Sequence, residues 1–176
     1  EAAAVLEERD RFRYLSRDEL VGALGVGPTD VVAEIGSGTG FYTREVAPFV
    51  GTLYAVDMQP AMHRAFTENG LPETVTQVLA KGDALPFRSE TIDAVYATMT
   101  FHEFDQGGPA ELYRVLRNGG TLVLVDWTAT GSGERGPPLE VRADASTAAE
   151  TVEQAGFEIT VARSRPETFL IEAVRP

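Results

Sequence analysis

Four titratable residues and a set of spaced glycines stand where chemistry is possible. Glu34 precedes Gly36, Gly38 and Gly40 at alternate positions, with Ser37 between the first two; Asp57 follows Gly40 by 17 residues; Asp83 lies within Lys81-Gly82-Asp83-Ala84-Leu85-Pro86-Phe87; and His102 adjoins Glu103. A turn without Cβ atoms takes dihedrals closed to other residues and lets a ligand lie on bare backbone. The helix that follows presents unpaired N–H groups and a positive dipole end to an anionic or carboxylate-bearing ligand. A carboxylate at a strand tip accepts both hydroxyls of a ribose. A nucleotide-like cofactor is therefore the first expectation. His102, with an ordinary imidazole pKa near ~6.5, is the candidate general base; the alternative is that it lines or orders a pocket. His63, between Met62 and Arg64, is expected on the surface.

These residues need a scaffold, and the pattern supplies one. Val31-Val32-Ala33-Glu34-Ile35 is an apolar run of buried-strand type, and the pattern turns helical from about Thr39 to Phe49. Gly51–Asp57, Thr74–Ala80, Thr91–Ala97 and Thr121–Trp127 read as further strands, with helices over Pro60–Asn69 and Pro109–Leu116 and a turn at Arg117-Asn118-Gly119-Gly120. A helix over Ser146–Ala155 leads into two last strands, near Phe157–Arg163 and Glu167–Val174. Ahead of the first strand, residues 1–14 are rich in helix formers, and Ser16-Arg17-Asp18-Glu19 is a capping box for a second helix ending near Gly25. These two helices, residues 1–29, are expected to form a lid over a core of residues 30–176, with Phe12, Arg13 and Tyr14 facing in, or else to pack on the flank of the sheet. Thr128–Ala143, rich in Gly and Pro and long for a connection, is a candidate roof for a pocket or a plain loop.

Composition narrows the function. A chain of 176 residues forms one α/β domain with little room for a separate substrate domain. It contains no cysteine, which excludes disulfides, thiolate metal sites and cysteine nucleophiles. No apolar run approaches the roughly 18 residues of a membrane span, and a cytoplasmic protein is expected. The net charge is −12, and Lys81 is the only lysine. Such a surface repels phosphate backbones and argues against unaided nucleic-acid binding. It also resembles proteins of salt-loving organisms, in whose molar salt the Debye length shrinks to roughly 3 Å. No P-loop, glycosidase carboxylate pair or His/carboxylate metal cluster is evident.

The glycine spacing separates two cofactor classes. The dinucleotide fingerprint G-x-G-x-x-G requires glycine at position 41, where Phe41 stands. The motif present is E-x-G-x-G-x-G. Together with Asp57, the Gly82–Phe87 segment and Arg114-Val115-Leu116-Arg117-Asn118-Gly119-Gly120 before a strand, it resembles the class I S-adenosylmethionine-dependent methyltransferases, most closely the small type-11 group that includes quinone-biosynthesis C-methyltransferases.

The resemblance implies a Rossmann-like, seven-stranded, mostly parallel sheet with an antiparallel last strand. It implies that Glu34 and the turn Gly36-Ser37-Gly38-Thr39-Gly40 hold the methionine end of S-adenosylmethionine, with the main chain near Thr98 close by. It further implies that Asp57 holds the ribose, Met58 covers one adenine face, and Asp83 and Ala84 bind the adenine. Many relatives carry His-His near His102. The motif N/D-P-P-Y/F of methyltransferases acting on planar nitrogens is replaced by Thr98-Met99-Thr100-Phe101. A small-molecule acceptor is favoured. The alternatives are a cofactor-binding subunit active only with a partner protein, and a nicotinamide-dependent oxidoreductase. The usual strand order leaves uncharged Thr74–Ala80 on an open sheet edge; the resemblance to methyltransferases activated by a small zinc-binding protein makes such a protein a candidate for strand addition there, and the alternative is an edge kept soluble by neighbouring charge.

Overall fold

The computed structural model describes residues 6–176. Seven strands form one sheet in the order β3-β2-β1-β4-β5-β7-β6, where β1 is Val31–Ile35, β2 Thr52–Asp57, β3 Val75–Leu79, β4 Ile92–Thr98, β5 Leu116–Trp127, β6 Glu158–Ser164 and β7 Thr168–Val174. The pairings from β3 through β5 are parallel, and β7 runs antiparallel to both β5 and β6. This is the expected fold. No helix among the described residues is long and apolar enough to cross a membrane.

Among the described residues five α-helices of about two to three turns cover the two faces: α1 (Arg17–Leu24), α2 (Phe41–Val46), α3 (Pro60–Glu68), α4 (Gly108–Val115) and α5 (Ala145–Gln154). Alternation along the central strands sorts side chains between two cores. Ala33, Ile35, Val95 and Leu122 join Leu112 of α4 and Val152 of α5 on one face. Val32, Ala94, Tyr96 and Val123 meet Leu20 of α1, Tyr42 of α2 and Phe66 of α3 on the other. Each such large apolar side chain, fully buried, contributes about 1.5–3 kcal/mol.

Three expectations are corrected. The helix expected over residues 1–14 falls partly outside the described residues, and within them Arg9–Arg13 forms only a 3₁₀ turn. The apolar positions Leu6, Phe12 and Tyr14 do not share one helical stripe, and Phe12 instead packs on Phe41 with ring centroids 4.9 Å apart. The helix after the glycines is shorter than Thr39–Phe49: α2 ends at Val46 and a 3₁₀ turn covers Ala47–Phe49, because Pro48 has no N–H to continue the ladder. With six residues, α2 has a smaller dipole than the sequence promised. Finally, β5 begins at Leu116, before the expected turn. Ile92 pairs with Leu116 and Ala94 with Thr121, so two steps on β4 oppose five on β5 and Arg117–Gly120 leave the ladder.

Candidate active site

In a sheet of this winding the carboxyl ends of the parallel strands share one edge, and the order reverses between β1 and β4. Glu34, Asp57, Thr98 and Asp126 all stand at or near that edge. The glycine turn closes β1 there. Gly36 and Ser37 N–H groups donate to the Val56 carbonyl at 2.8 and 3.0 Å, and Gly40 N–H to Ser37 O at 2.9 Å. Gly36 and Gly40 have φ of +75° and +82°. A Cβ on Gly36 would overlap Thr100, and one on Gly40 the buried ring of Phe66, so both positions require glycine by conformation and by space.

Asp57 braces this turn. Its Oδ2 accepts from Gly38 N–H and its Oδ1 from Gln59 N–H, each at 2.8 Å. Glu34 lies deeper, 1% exposed, and its Oε2 accepts from the hydroxyls of Thr43 and, at 2.9 Å, Tyr96. Burial outweighs these bonds and pushes its carboxyl from the ordinary 4.5 up to about 7. Around these groups lies an inner cavity of about 260 Å³ whose lining includes Glu34, Gly36, Ser37, Gly38, Asp57 and Thr98. Among the described residues the buried Ser37 hydroxyl has no hydrogen-bond partner, a polar group left to a ligand.

A second, outer cavity of about 500 Å³ adjoins the first and shares Leu6, Arg11, Met99 and Glu103 with it. Met99 joins β4 to the 3₁₀ turn Phe101–Glu103 with φ +60°, an uncommon conformation for a side-chain-bearing residue. His102 lines the outer cavity, and its Nδ1 faces Asp126 Oδ1 and Oδ2 at 3.1 and 3.0 Å. Burial of the imidazole lowers its pKa, but the hydrogen-bonded Asp126 carboxylate and nearby Glu103 outweigh it and hold the pKa above its ordinary value. Trp127, Gly136 and Pro137 wall the far side, so part of Thr128–Ala143 does border the cavity.

The other sequence-nominated residues are more scattered. Met58 and Gly82 line a third space of about 80 Å³, which shares Gly36, Asp57 and Glu103 with the inner cavity. Asp83 and Ala84 line none of these three spaces. His63 is not a plain surface residue: α3 lies against the sheet, so the ring is half-buried and donates from Nε2 to the Asp57 carbonyl at 3.2 Å. Of the N-terminal trio, Tyr14 reaches the outer cavity, Phe12 packs on aromatic rings and Arg13 is exposed beside Asp10. The 3₁₀ turn brings Arg11 to the cavities instead, its guanidinium 5.3 and 5.2 Å from the Phe41 and Tyr42 ring centroids.

Arg11, Met99 and Asp126 escape sequence reasoning. For Asp126 a signal existed: like Asp57, it is an acid ending an apolar parallel strand.

Comparison with known proteins bears on the fold and the family. The family model described as "Methyltransferase domain" matches residues 33–124. A demethylmenaquinone methyltransferase of Mycobacterium sp. (strain JLS) is 33% identical over 124 residues, covering 68% of this chain and 50% of that protein. The chain spans about half the length of the curated relatives it matches, 42–50%. Among solved structures, a SAM-dependent methyltransferase from Aquifex aeolicus superposes with a TM-score of 0.89 at 23% identity, over 99% of this chain and 97% of that one. A complex of the Haloferax volcanii Trm112 methyltransferase activator with a methyltransferase gives 0.78 at 16% identity, over 99% and 96%. With the motif, the sheet order and the family model in agreement, the chain belongs to the type-11 methyltransferase domain family of class I S-adenosylmethionine-dependent enzymes.

Proposed function

We propose that this protein transfers a methyl group from S-adenosylmethionine to a small molecule, with the cofactor in the inner cavity and the acceptor in the outer one. The observation that carries the reading is the junction of the two spaces: they meet at Arg11, Met99 and Glu103, with the glycine turn on one side and His102 on the other. The cofactor supplies an activated methyl group, so the protein has to align the partners, exclude water and remove a proton where the acceptor carries one.

The residues present suit the cofactor. The bare backbone at Gly36 and Gly38 and the unpartnered Ser37 hydroxyl suit its methionine end beside Glu34 and Thr98. Each Asp57 oxygen already takes one N–H, and a carboxylate oxygen has a second acceptor site for a ribose hydroxyl. For the adenine we assign the small space beside Met58 and Gly82, with Asp83 and Ala84 at its margin. Residues 6–29 act as a lid in this reading: Glu7 accepts from the Thr39 hydroxyl at 2.5 Å and pairs with Arg44, tying the segment to the glycine turn. The acidic composition supports a cytoplasm rich in salt.

Calorimetric titration with S-adenosylhomocysteine, with NAD alongside, tests the reading. One-site binding of the former, weakened at least about tenfold in Asp57→Ala, is expected. NAD binding in its place would overturn it.

A second reading concerns a partner. Strand β3 is a sheet edge with Leu79 61% exposed, and Met58 nearby is 56% exposed. We assign this edge, residues 74–80, to strand addition by a small zinc-binding activator protein. Copurification from the native host tests it: a small metal-containing partner that is lost when Gln77 is replaced by proline supports the assignment, and its repeated absence removes it.

A further inference from the structure

Asp57 is held by four donors, and one of them differs in kind. Its carboxylate takes the Gly38 and Gln59 N–H groups, as described above. Its main-chain carbonyl takes the Ala80 N–H, just past β3, and His63 Nε2, from α3, each at 3.2 Å. Three of these donors are backbone amides, which the fold supplies whatever side chains stand there. The fourth is a side chain, and among the described residues no other side chain bonds to Asp57. A carbonyl oxygen only accepts, so Nε2 carries a proton and the neutral ring has its lone pair at Nδ1. Among the described residues that Nδ1 is buried with no hydrogen-bond partner. An apolar side chain at this place on α3 would avoid the cost of the unmatched atom. Histidine is thus a poor choice for packing alone, and the bond from Nε2 is what it adds.

The residue that makes this bond is itself anchored. The His63 carbonyl accepts from the Thr67 hydroxyl at 3.0 Å and from Gln77 Nε2, on β3, at 2.8 Å. The same helix forms a wall of the inner cavity: Gln59 and Met62 line it, and the Phe66 ring lies against Gly40 of the glycine turn. The His63–Asp57 bond therefore joins the tip of β2 to that wall. A carboxylate that has to accept from two neighbouring hydroxyls must be oriented as well as placed. Its rotamer depends on the backbone dihedrals of its own residue, which a donor on the main-chain carbonyl helps to fix.

Resting on the methyltransferase reading, we propose that His63 is a positioning residue of the cofactor site: its Nε2–H holds the Asp57 main chain in the conformation that aims the carboxylate at the two ribose hydroxyls of the cofactor. It acts through Asp57 and touches no ligand itself. Its contribution is therefore confined to ligands that carry those hydroxyls.

The test is a calorimetric comparison of S-adenosylhomocysteine with its dideoxyribose analogue, which lacks both hydroxyls. His63→Leu keeps the bulk and removes the donor. Its affinity for S-adenosylhomocysteine is expected to fall about tenfold, the effect of one lost hydrogen bond, and its affinity for the analogue by no more than about twofold. His63→Gln, whose amide nitrogen can stand where Nε2 stands, is expected to bind S-adenosylhomocysteine within about threefold of wild type. A role in packing alone predicts equal losses for the two ligands, because a displaced helix disturbs the whole cavity. Equal losses, no loss, or a glutamine variant as weak as the leucine one overturns the proposal. Should His63→Leu fail to fold, His63→Met takes its place in the same comparison. Failure of the wild-type protein to bind S-adenosylhomocysteine would strike at the cofactor reading instead, and equal wild-type affinity for the two ligands at the ribose role of Asp57.

Discussion

Glu34 and Tyr96 are register partners on the parallel strands β1 and β4, and the Tyr96 hydroxyl donates to Glu34 Oε2 at 2.9 Å in a fully buried setting. The carboxyl is costly to ionise there, and its pKa rises to about 7.

A pH dependence of stability follows. In the unfolded chain Glu34 ionises near 4.5, in the folded one near 7. Below pH 4.5 both states hold the proton and the contribution is fully present. As pH climbs to 7 the unfolded state gains an ionisation free energy that the folded state does not, and stability drops by about 3 kcal/mol before levelling off. Glu34→Gln removes this slope. Urea unfolding at pH 5 and pH 8 is expected to show the variant gaining about 2–3 kcal/mol on wild type between the two; a pH-independent difference would refute the assignment.

Substitution of the three motif glycines by alanine is expected to give a graded series. At Gly40 the added methyl meets the ring of Phe66, which is 0% exposed, and at Gly36 it meets Thr100. Each combines a left-handed backbone cost of roughly 1–2 kcal/mol with overpacking of about 1–3 kcal/mol. At Gly38 the new Cβ sits 3.4 Å from Leu6 Cδ1, an ordinary contact, so mainly the backbone cost remains. Denaturant midpoints should fall least for Gly38→Ala, while calorimetry with S-adenosylhomocysteine shows its affinity reduced, because Gly38 lines the inner cavity.

The roof loop depends on Arg142. This arginine is 7% exposed; Nε donates to Pro137 O at 2.8 Å, its terminal nitrogens reach the Arg135 and Thr128 carbonyls, and its guanidinium lies 5.5 Å from the Trp127 ring centroid. A methionine of similar length would leave those carbonyls without their donor, at about 1–3 kcal/mol for each one that stays buried. Arg142→Met is therefore expected to release the loop. Limited proteolysis should cut near Ser132–Arg135 at least about tenfold faster than in wild type, with little change in cleavage elsewhere. Equal rates would mean the loop is held by other contacts, such as the Ser132 N–H to Glu167.

The fold was legible because its signals are local: apolar β-branched runs of strand length, glycine and proline between them, and helical periods in alternation. The site was legible only in part, because its decisive contacts join residues distant in sequence. Glu34 and Asp57 announce themselves by ending strands beside a glycine turn. Asp126 ends a strand too, but its partner His102 lies 24 positions earlier and is reached only after β4 and β5 pair in register. Arg11 was missed because an α-helix over residues 1–14 would point Phe12, Arg13 and Tyr14 differently from the 3₁₀ turn that forms. His63 looked exposed because a nine-residue helix with polar flanks hides which of its faces meets the sheet.

The net charge of −12 permits a last prediction, on salt. Two electrostatic effects oppose each other as ionic strength rises. Exposed ion pairs such as Arg135–Glu8 and Arg17–Asp18 weaken, at about 0.2–1 kcal/mol each. Repulsion among the uncompensated acids also weakens, as the Debye length shrinks from about 10 Å at 0.1 M to about 3 Å at 1 M. Pairs act over a few ångströms and each concerns one contact, whereas the excess negative charge acts across the whole surface and opposes the compact state. Relief of repulsion should therefore dominate, and the thermal midpoint should rise between 0.1 and 2 M KCl. Chloride is the salt to use, since sulfate strengthens apolar burial by itself. A midpoint that falls steadily with KCl would mean that the ion pairs outweigh the excess charge, and the assignment to a salt-rich cytoplasm would lose its support.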